Sequence, residues 1–171
     1  DWTFTLGGDG FETQADWSDE NILYVQSQNG GLVRYDKKTG EQLFIKPIDT
    51  ADVGYRFDWD AALLISHHDP KRLYFGGNRL FKTDDRGNTW TLLSGDLTRG
   101  VPQKLLKMQG KSWSYDELAS KGSLANITSI AESPIDPNIL FVGSGDGLIH
   151  YSDDGGKTWN KPTSTGGLPE F

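Results

Sequence analysis

The chain has 171 residues, a formal net charge of −7 and no cysteine. The acidic balance and the lack of a basic run exclude a surface built for nucleic acid or anionic membranes, because both need clustered Lys and Arg. The lack of cysteine excludes a disulfide framework, a thiolate zinc site and a cysteine nucleophile. No apolar run reaches the ~18 residues of a membrane span, and the first residues lack a signal-peptide pattern.

The predicted elements are short strands separated by turns rich in Gly, Asp and Asn. Three stretches align without gaps, each with an Asp turn that leads into an aliphatic and aromatic strand: Asp19–Val25, Asp69–Phe75 and Asp136–Val142. One strand precedes each stretch, and a Gly-rich turn and two more strands follow it. Each unit is therefore predicted to have four antiparallel strands, and a period of about 40–50 residues with four strands is typical of a β-propeller blade.

The predicted fold is all-β, with about three complete blades, one orphan strand and one short helix in an insertion. In chain order the segments are an outer strand of a preceding blade (1–10), a blade (11–47), a blade (56–94), the insertion (95–124), a blade (125–163) and the start of a further blade (164–171). Within the insertion, Ser114–Glu117 resembles a helix capping box, and Gly122 would end the helix. Closed propellers have about four to eight blades, so we expect self-association or association with further blades.

A fixed pattern, Ser/Thr-x-Asp-x-Gly-x-Thr-Trp, precedes the last strand of the second and third units, and we name it the box turn. Its hydroxyl and carboxylate suit a tight turn, its Gly permits a positive φ, and its Trp can cover the apolar edge of a blade. The spacing of an EF-hand calcium loop is not matched. The residues that fit are Thr83, Asp85, Gly87, Thr89 and Trp90, and then Ser152, Asp154, Gly156, Thr158 and Trp159.

The box turn resembles the Asp-box, or BNR, repeat of sialidases, sortilin-type receptors and several glycoside hydrolase propellers. The resemblance implies that the turn joins the third and fourth strands, away from the ligand face, so that Asp85 and Asp154 shape turns and are not catalysts. Four further segments resemble bacterial sortilin-like, glycosyl-hydrolase-like propeller proteins: Leu6–Phe11, Gln28–Asp36, Tyr55–Asp60 and Asn78–Phe81. This family resemblance implies a secreted or periplasmic protein.

A more distant resemblance is to the xyloglucan-cleaving propeller enzymes. They carry a catalytic Asp within a Thr-Asp-x-Gly-Gly-x-Tyr-Arg-Trp stretch, and the corresponding run here is Ser27–Tyr35. Gln28 stands at the position of that Asp, and an amide cannot act as a general base. The specific xyloglucanase activity is therefore not predicted.

Candidate ligand-binding residues lie in the loops that enter each first strand and in those that join second to third strands, because these loops share one face of a propeller. They are Asp9, Gln28, Asn29, Tyr55, Arg56, Asn78, Arg79 and Asp146, with Trp113 contributed by the insertion. Asp58 and Asp60 are the candidate catalytic acids, since residues two apart on a strand share a face and lie ~6.6 Å apart along the chain. The alternative is that both are hydrogen-bonded acids at the mouth of the channel.

Two functions of different classes are expected. The first is a scaffold that binds a glycan or a protein, including the case of a structural propeller that assembles protein partners. The alternative is a glycoside hydrolase that acts on a polysaccharide by carboxylate acid/base catalysis, with its site completed by blades outside this chain. No cofactor or metal is predicted, since the adjacent His67 and His68 would point to opposite faces of a strand.

Overall fold

The fold is built from short antiparallel strands in three separate sheets, as seen in a computed structural model. The structure describes residues 4–9, 12–101, 105, 107, 110–112, 114, 125–163 and 167. The strands in these ranges are β1 (Thr13–Ala15), β2 (Ile22–Ser27), β3 (Gly31–Asp36), β4 (Gln42–Phe44), β5 (Leu63–Ile65), β6 (Leu73–Gly76), β7 (Leu80–Thr83), β8 (Thr91–Leu92), β9 (Ile127–Glu132), β10 (Leu140–Ser144) and β11 (Ile149–Ser152). Within the described ranges, no helix is long and apolar enough to cross a membrane.

Each sheet is a meander in which strands adjacent in sequence are also hydrogen-bonded neighbours. The first sheet has the order β1-β2-β3-β4, the second has β5-β6-β7-β8, and the third has β9-β10-β11. Every pair within the sheets is antiparallel. These sheets confirm the all-β prediction and the repeating blade.

The third sheet differs from the other two at its outer edge. The predicted fourth strand is reduced to one bridge, in which Tyr151 and Asn160 exchange backbone hydrogen bonds of 2.9 and 2.8 Å. In the second sheet the ladder continues, because the N–H of Leu93 donates to the carbonyl of Leu80. Pro162 stands at the corresponding place in the third repeat and has no N–H to donate, so the ladder ends.

The turns between the first and second strands repeat the same hydrogen bonds. In the second sheet, Ser66 Oγ accepts from the N–H groups of His68 and Asp69, and Asp69 Oδ1 accepts from the N–H of Lys71. The same roles are filled by Asp16 and Asp19 in the first sheet and by Ser133 and Asp136 in the third. These polar side chains replace missing backbone partners, which explains the aligned Asp turns.

Two hydrophobic clusters fill the spaces between neighbouring sheets. The first lies between the first and second sheets and contains Tyr24, Leu32, Ile45, Ala61, Leu63, Ile65, Leu73 and Phe75. The second lies between the second and third sheets and contains Ala62, Tyr74, Leu80, Leu97, Ile127, Leu140 and Val142. Strand β6 supplies both clusters, because successive side chains of a strand point to opposite faces. The sheets therefore pack face to face, like successive blades.

Several predicted segments lie wholly or partly outside the described residues. Of the predicted orphan strand, residues 4–6 are described and form no strand. The predicted helix falls on residues 115–121, and the start of a further blade falls on 164–171, where only Gly167 is described.

Candidate functional site

The turns at the two ends of the sheets have different roles. We name the end that carries the β2–β3, β6–β7 and β10–β11 turns the upper face, and the opposite end, which carries the box turns, the box face. A backbone hydrogen bond joins the upper ends of the second and third sheets, since the N–H of Ile127 donates to the carbonyl of Gly77. The N–H of Leu97, which follows β8, donates to the carbonyl of Asn78 on the same face. The predicted ligand-binding loops are therefore neighbours in the folded chain.

On the first sheet, the upper face brings Asp9, Gln28 and Asn29 together with a lysine. The Asp9 N–H donates to Gln28 Oε1 at 2.9 Å, and Lys46 Nζ donates to the Asn29 carbonyl at 2.8 Å. Lys46 also lies 4.5 Å above the Phe57 ring, and burial lowers the pKa of its ammonium group. Lys46 is not predictable from the sequence pattern, because its position depends on a contact between two sheets.

Arg56 and Asn78 belong to one polar network on the upper face of the second sheet. The Arg56 N–H donates to Asn78 Oδ1, and both side chains reach Asp96 Oδ2, at 3.1 Å from Arg56 and 2.9 Å from Asn78. Burial would raise the pKa of Asp96, but hydrogen bonds from Thr98 and Asn78, with the charge of Arg56, hold it below its usual value. Asp96 was missed, although its Asp-x-Thr turn, with Thr98 donating to its carboxylate, is a recognisable local pattern.

Asp146 joins the start of the insertion to the upper end of the third repeat. It is fully buried, and its carboxylate accepts from the Arg99 N–H at 2.8 Å and from the Ser144 hydroxyl at 2.5 Å. Its carbonyl accepts from Arg99 Nε. Because both of its carboxylate oxygens accept hydrogen bonds from within the protein, Asp146 is suited to hold a loop in position.

Of the remaining predicted ligand-binding residues, Tyr55 and Arg79 are partly buried. The ring of Tyr55 packs edge-on against Phe81, with 4.7 Å between centroids, so its surface serves the core. Arg79 is half-buried, and its Nε has no hydrogen-bond partner within the described part of the chain. Trp113 lies outside the described residues.

Asp58 and Asp60 do not lie on a strand, which corrects the geometry predicted for them. They belong to the loop that precedes β5, with Trp59 between them in a turn. The Trp59 N–H donates to Asp58 Oδ1 at 2.6 Å. Burial raises the pKa of the Asp58 carboxyl, the Trp59 N–H opposes that rise, and the charge of Asp60 adds to it. Asp58 therefore has the raised pKa of a proton donor, but not the predicted shared strand face.

A small cleft of about 200 Å³ lies where the innermost parts of the three sheets meet. Asp60 and Glu12 line it together with Thr128 and Ser129 of β9. Glu12 Oε1 accepts a hydrogen bond from Gln14 Nε2 at 2.6 Å. Glu12 was not among the predicted residues, since nothing in the local sequence shows that it would share a cleft with a residue of the second repeat.

The box face carries the two box turns in the same geometry. In the second sheet, Asp85 accepts from the Thr83 hydroxyl and from both the N–H and the hydroxyl of Thr89, at 2.7 to 2.8 Å. Asp154 accepts from Ser152 and Thr158 in the same way. These hydrogen bonds lower the pKa of each carboxyl to about 2. Each carboxylate is therefore bound by donors of its own turn.

Each box turn also joins its sheet to the preceding one. The Trp90 indole N–H donates to the Ile45 carbonyl at 2.5 Å, and that of Trp159 donates to the Leu93 carbonyl at 3.2 Å. Gly87 and Gly156 adopt positive φ values of 86° and 89°. A Cβ at Gly87 would lie 2.6 Å from the Ile45 side chain, so the close approach of the two repeats requires glycine there.

A larger cleft of about 500 Å³ also opens on the box face, between the first and second sheets. Its walls include Asp36, Glu41 and Lys71, and Arg86. Arg86 is engaged with the first sheet, because its Nε lies 2.8 Å from Asp16 Oδ2. In the part of the chain that the structure describes, no three His, Asp or Glu residues form a group that could hold a metal ion.

No family model matches the chain, and no curated protein matches it. Among solved structures, the chain is similar to the GH74 enzyme of Niastella koreensis, at 19% identity over 94% of this chain and 22% of that chain, with a TM-score of 0.54. It is also similar to the GH74 xyloglucanase of Xanthomonas campestris, at 18% identity over 81% and 20% of the two chains and a TM-score of 0.52. A third similar structure is YCF48 bound to D1 peptide, at 13% identity over 90% and 39% and a TM-score of 0.52.

These similarities show the β-propeller fold, and at such identities they show the fold alone. The chain spans about a fifth of the length of the two GH74 chains. Function therefore has to be argued from the upper face itself.

Proposed function

We propose that the chain is a β-propeller segment whose upper face binds a glycan. The observation that carries this proposal is Trp59, which is 42% exposed and directly follows the half-buried Asp58. An exposed indole offers a flat apolar surface on which a sugar ring can pack, and neighbouring polar groups fix its orientation. The similarity to two GH74 structures, one described as a xyloglucanase, supports a polysaccharide as the ligand class.

The rest of the upper face supports a binding role because its polar network is built to stay in place. Asp96 and Asp146 accept hydrogen bonds from neighbouring loops, so their carboxylates hold the scaffold rigid. Gln28, Asn29 and Lys46 add amide and ammonium groups near the first sheet. Such groups suit the hydroxyls of a sugar.

The test is a glycan-array screen of the full chain, followed by titration with the oligosaccharide that binds. Trp59→Ala should weaken binding about threefold to tenfold, the loss expected for one aromatic contact. Trp17→Ala is the matched control, because Trp17 is 60% exposed and its indole N–H donates to the Ser66 carbonyl, on the box face. Equal losses in both variants, or no loss in Trp59→Ala, would contradict the proposal.

A second candidate function is glycoside hydrolysis, favoured by the half-buried Asp58 carboxyl, whose pKa burial raises, and by the cleft that the neighbouring Asp60 lines together with Glu12. In this proposal Asp58 donates the proton to the leaving group, and Asp60 supplies the second carboxylate. Release of reducing sugar from the bound polysaccharide, and its loss in Asp58→Asn with binding retained, would support the enzyme. Binding of the polysaccharide without release of reducing sugar would leave the binding scaffold as the function.

A protein ligand is the competing occupant of the same face, and the similarity to YCF48 bound to a peptide supports it. An empty glycan array together with capture of a defined peptide would favour it. We further propose that the box turns belong to the Asp-box, or BNR, class, that the chain is related to sortilin-like propellers, and that the protein is secreted or periplasmic. These assignments depend on the sequence resemblance described above.

A further inference from the structure

The side of the third sheet that faces away from the second sheet is uncovered in the described part of the chain. Its side chains come from alternate positions of the three strands: Ser129, Ala131, Phe141, Gly143, Ile149 and Tyr151. We name this set the outer face of the third sheet. Phe141 is 47% exposed and Ile149 is 38% exposed, and the Phe141 and Tyr151 rings pair at 6.0 Å.

The corresponding positions of the second sheet are covered. Tyr74 and Phe141 each lie five residues after the Asp of their turn and take the same place in the register of their sheets. Tyr74 is only 2% exposed, because the third sheet packs over it and its hydroxyl donates to Glu132. The exposure of Phe141 therefore marks a position at which this repeat normally contacts another sheet.

Gly143 is a second position at which the third sheet can be compared with the second. It occupies the place that Gly76 has in the second sheet, and a Cβ at Gly76 would lie 2.8 Å from Ile127 Cγ2. Glycine at that position lets the first strand of the next sheet approach closely. At Gly143 a Cβ would lie 2.6 Å from Ser129 Oγ of the neighbouring strand, so this part of the outer face presents a hydroxyl beside the exposed rings.

The box turns make the same hydrogen bond at both interfaces between sheets. Each one donates its indole N–H to a carbonyl just beyond the last strand of the preceding sheet, at Ile45 and at Leu93. Pro162 is the corresponding residue of the third repeat, since it lies two residues after Asn160 as Leu93 lies two residues after Thr91. Its missing N–H does not matter for this contact, because only the carbonyl is used.

We propose that the outer face of the third sheet is the docking site of a further four-stranded sheet that carries a box turn. Its first strand would pack over the Phe141 and Tyr151 rings, and its box Trp would donate to the Pro162 carbonyl. The proposal continues the interface between the second and third sheets by one repeat and does not depend on the ligand of the upper face.

A second copy of this chain fits the outer face less well. Both described box turns already have acceptors, at Ile45 and Leu93, so a copy has no free box turn to offer. The opposite side of the first sheet is also closed, because Val25 is 5% exposed and Val33 is fully buried. The occupant is therefore a separate sheet of the same repeat type.

The chain has no cysteine, so the alkylation rate of one introduced thiol measures whether this face is exposed or covered. Ala131→Cys places the thiol on the exposed outer face, and Lys38→Cys places one on an exposed turn of the first sheet. Alkylation rates are compared for the full chain and for the full chain extended after residue 171 by a second copy of residues 125–163. The extension should slow the Ala131→Cys reaction at least about tenfold, because the thiol reacts only when the sheet opens. The Lys38→Cys rate should not change.

A second extension guards against failure of the first one to fold. It carries residues 56–94, which contain the other box turn. In either extension, replacing the added box Trp by Phe removes the indole N–H and should restore part of the Ala131→Cys rate. Unchanged rates with both extensions overturn the proposal. Protection that rises with concentration in the unextended chain, together with a dimer mass, assigns the face to a second copy and also overturns it.

Discussion

The two interfaces between neighbouring sheets use different chemistry. At the first interface, glutamines of the first sheet bond the backbone of the second: Gln26 Nε2 donates to the Ala61 carbonyl, and Gln14 bonds both Leu63 and Ile65. At the second, Gly76 allows close packing against Ile127, and one buried carboxylate, Glu132, accepts from three donors.

The repeat therefore fixes how neighbouring sheets are placed, but it does not fix which side-chain contacts hold them together. Gln26 and Gly76 hold corresponding positions, yet one reaches across with an amide and the other makes room for an aliphatic side chain. The box Trp is common to both interfaces and sets the spacing. Substitutions can therefore separate the contribution of each kind of contact.

The largest effect should come from the apolar part of the first interface. Phe75 is fully buried and its ring packs 5.3 Å from that of Phe57, so Phe75→Ala should lower the free energy of unfolding by about 3–5 kcal/mol. Phe141→Ala, on the uncovered face, is the control and should cost less than about 1 kcal/mol. Denaturant unfolding measures both, and equal losses would mean that the outer face is buried in solution.

The next largest effect should come from the carboxylate at the second interface. Glu132→Ala leaves the Ser66 hydroxyl, the His67 N–H and the Tyr74 hydroxyl without their acceptor, at a cost of about 3 kcal/mol. Glu132→Gln keeps one acceptor oxygen and should lose less. If both variants unfold at the same denaturant concentration as the parent, the carboxylate does not hold this interface.

A smaller effect is expected from the amides of the first interface. Gln26 is 2% exposed, and Gln26→Ala leaves the Ala61 carbonyl unsatisfied, which should cost about 1–2 kcal/mol. Gln28→Ala is the control, since Gln28 bonds the exposed Asp9 N–H and should change stability by less than about 0.5 kcal/mol. Thermal unfolding of the two variants would show whether side-chain amides, and not only packing, join the first two sheets.

The smallest effect near neutral pH should be the titration of the box turns, which both interfaces share. The hydroxyls of Thr83 and Thr89, with the N–H of Thr89, lower the pKa of Asp85 to about 2, below its usual 3.8. A lowered folded pKa means that the contribution is complete above about pH 4 and is lost as the pH falls towards 2. The Tm difference between the parent and Asp85→Asn should shrink over that range. Gln28→Ala removes no titratable group and is the control, since its Tm difference from the parent should stay constant over that range.

The repeating turns could be predicted from the sequence because their bonds are local. In the box turns, donor and acceptor are two to four residues apart, so the pattern of hydroxyl, carboxylate and glycine already contains the geometry. The strand order followed from the repeat for the same reason. The fourth strand of the third sheet is shorter than predicted, because Pro162 has no N–H to continue the ladder.

The candidate site was less predictable because its contacts cross between sheets. Lys46 reaches Asn29, and Glu12 shares a cleft with Asp60, only because of how neighbouring sheets are placed. The geometry predicted for Asp58 and Asp60 was wrong, because the alternating polar and aromatic pattern around Trp59 occurs in a loop and not in a strand. The local sequence pattern cannot distinguish a loop from a strand when the segment forms no ladder with a neighbouring strand.

The indole contact of the box turn has a direction along the chain. The Ile45 and Leu93 acceptors lie 45 and 66 residues before their Trp donors. When the chain is made from its N-terminus, the acceptor carbonyl of each of these two contacts therefore exists before its donor. The order of synthesis thus allows the described sheets to pack in chain order, since neither box turn has to wait for its acceptor to be made.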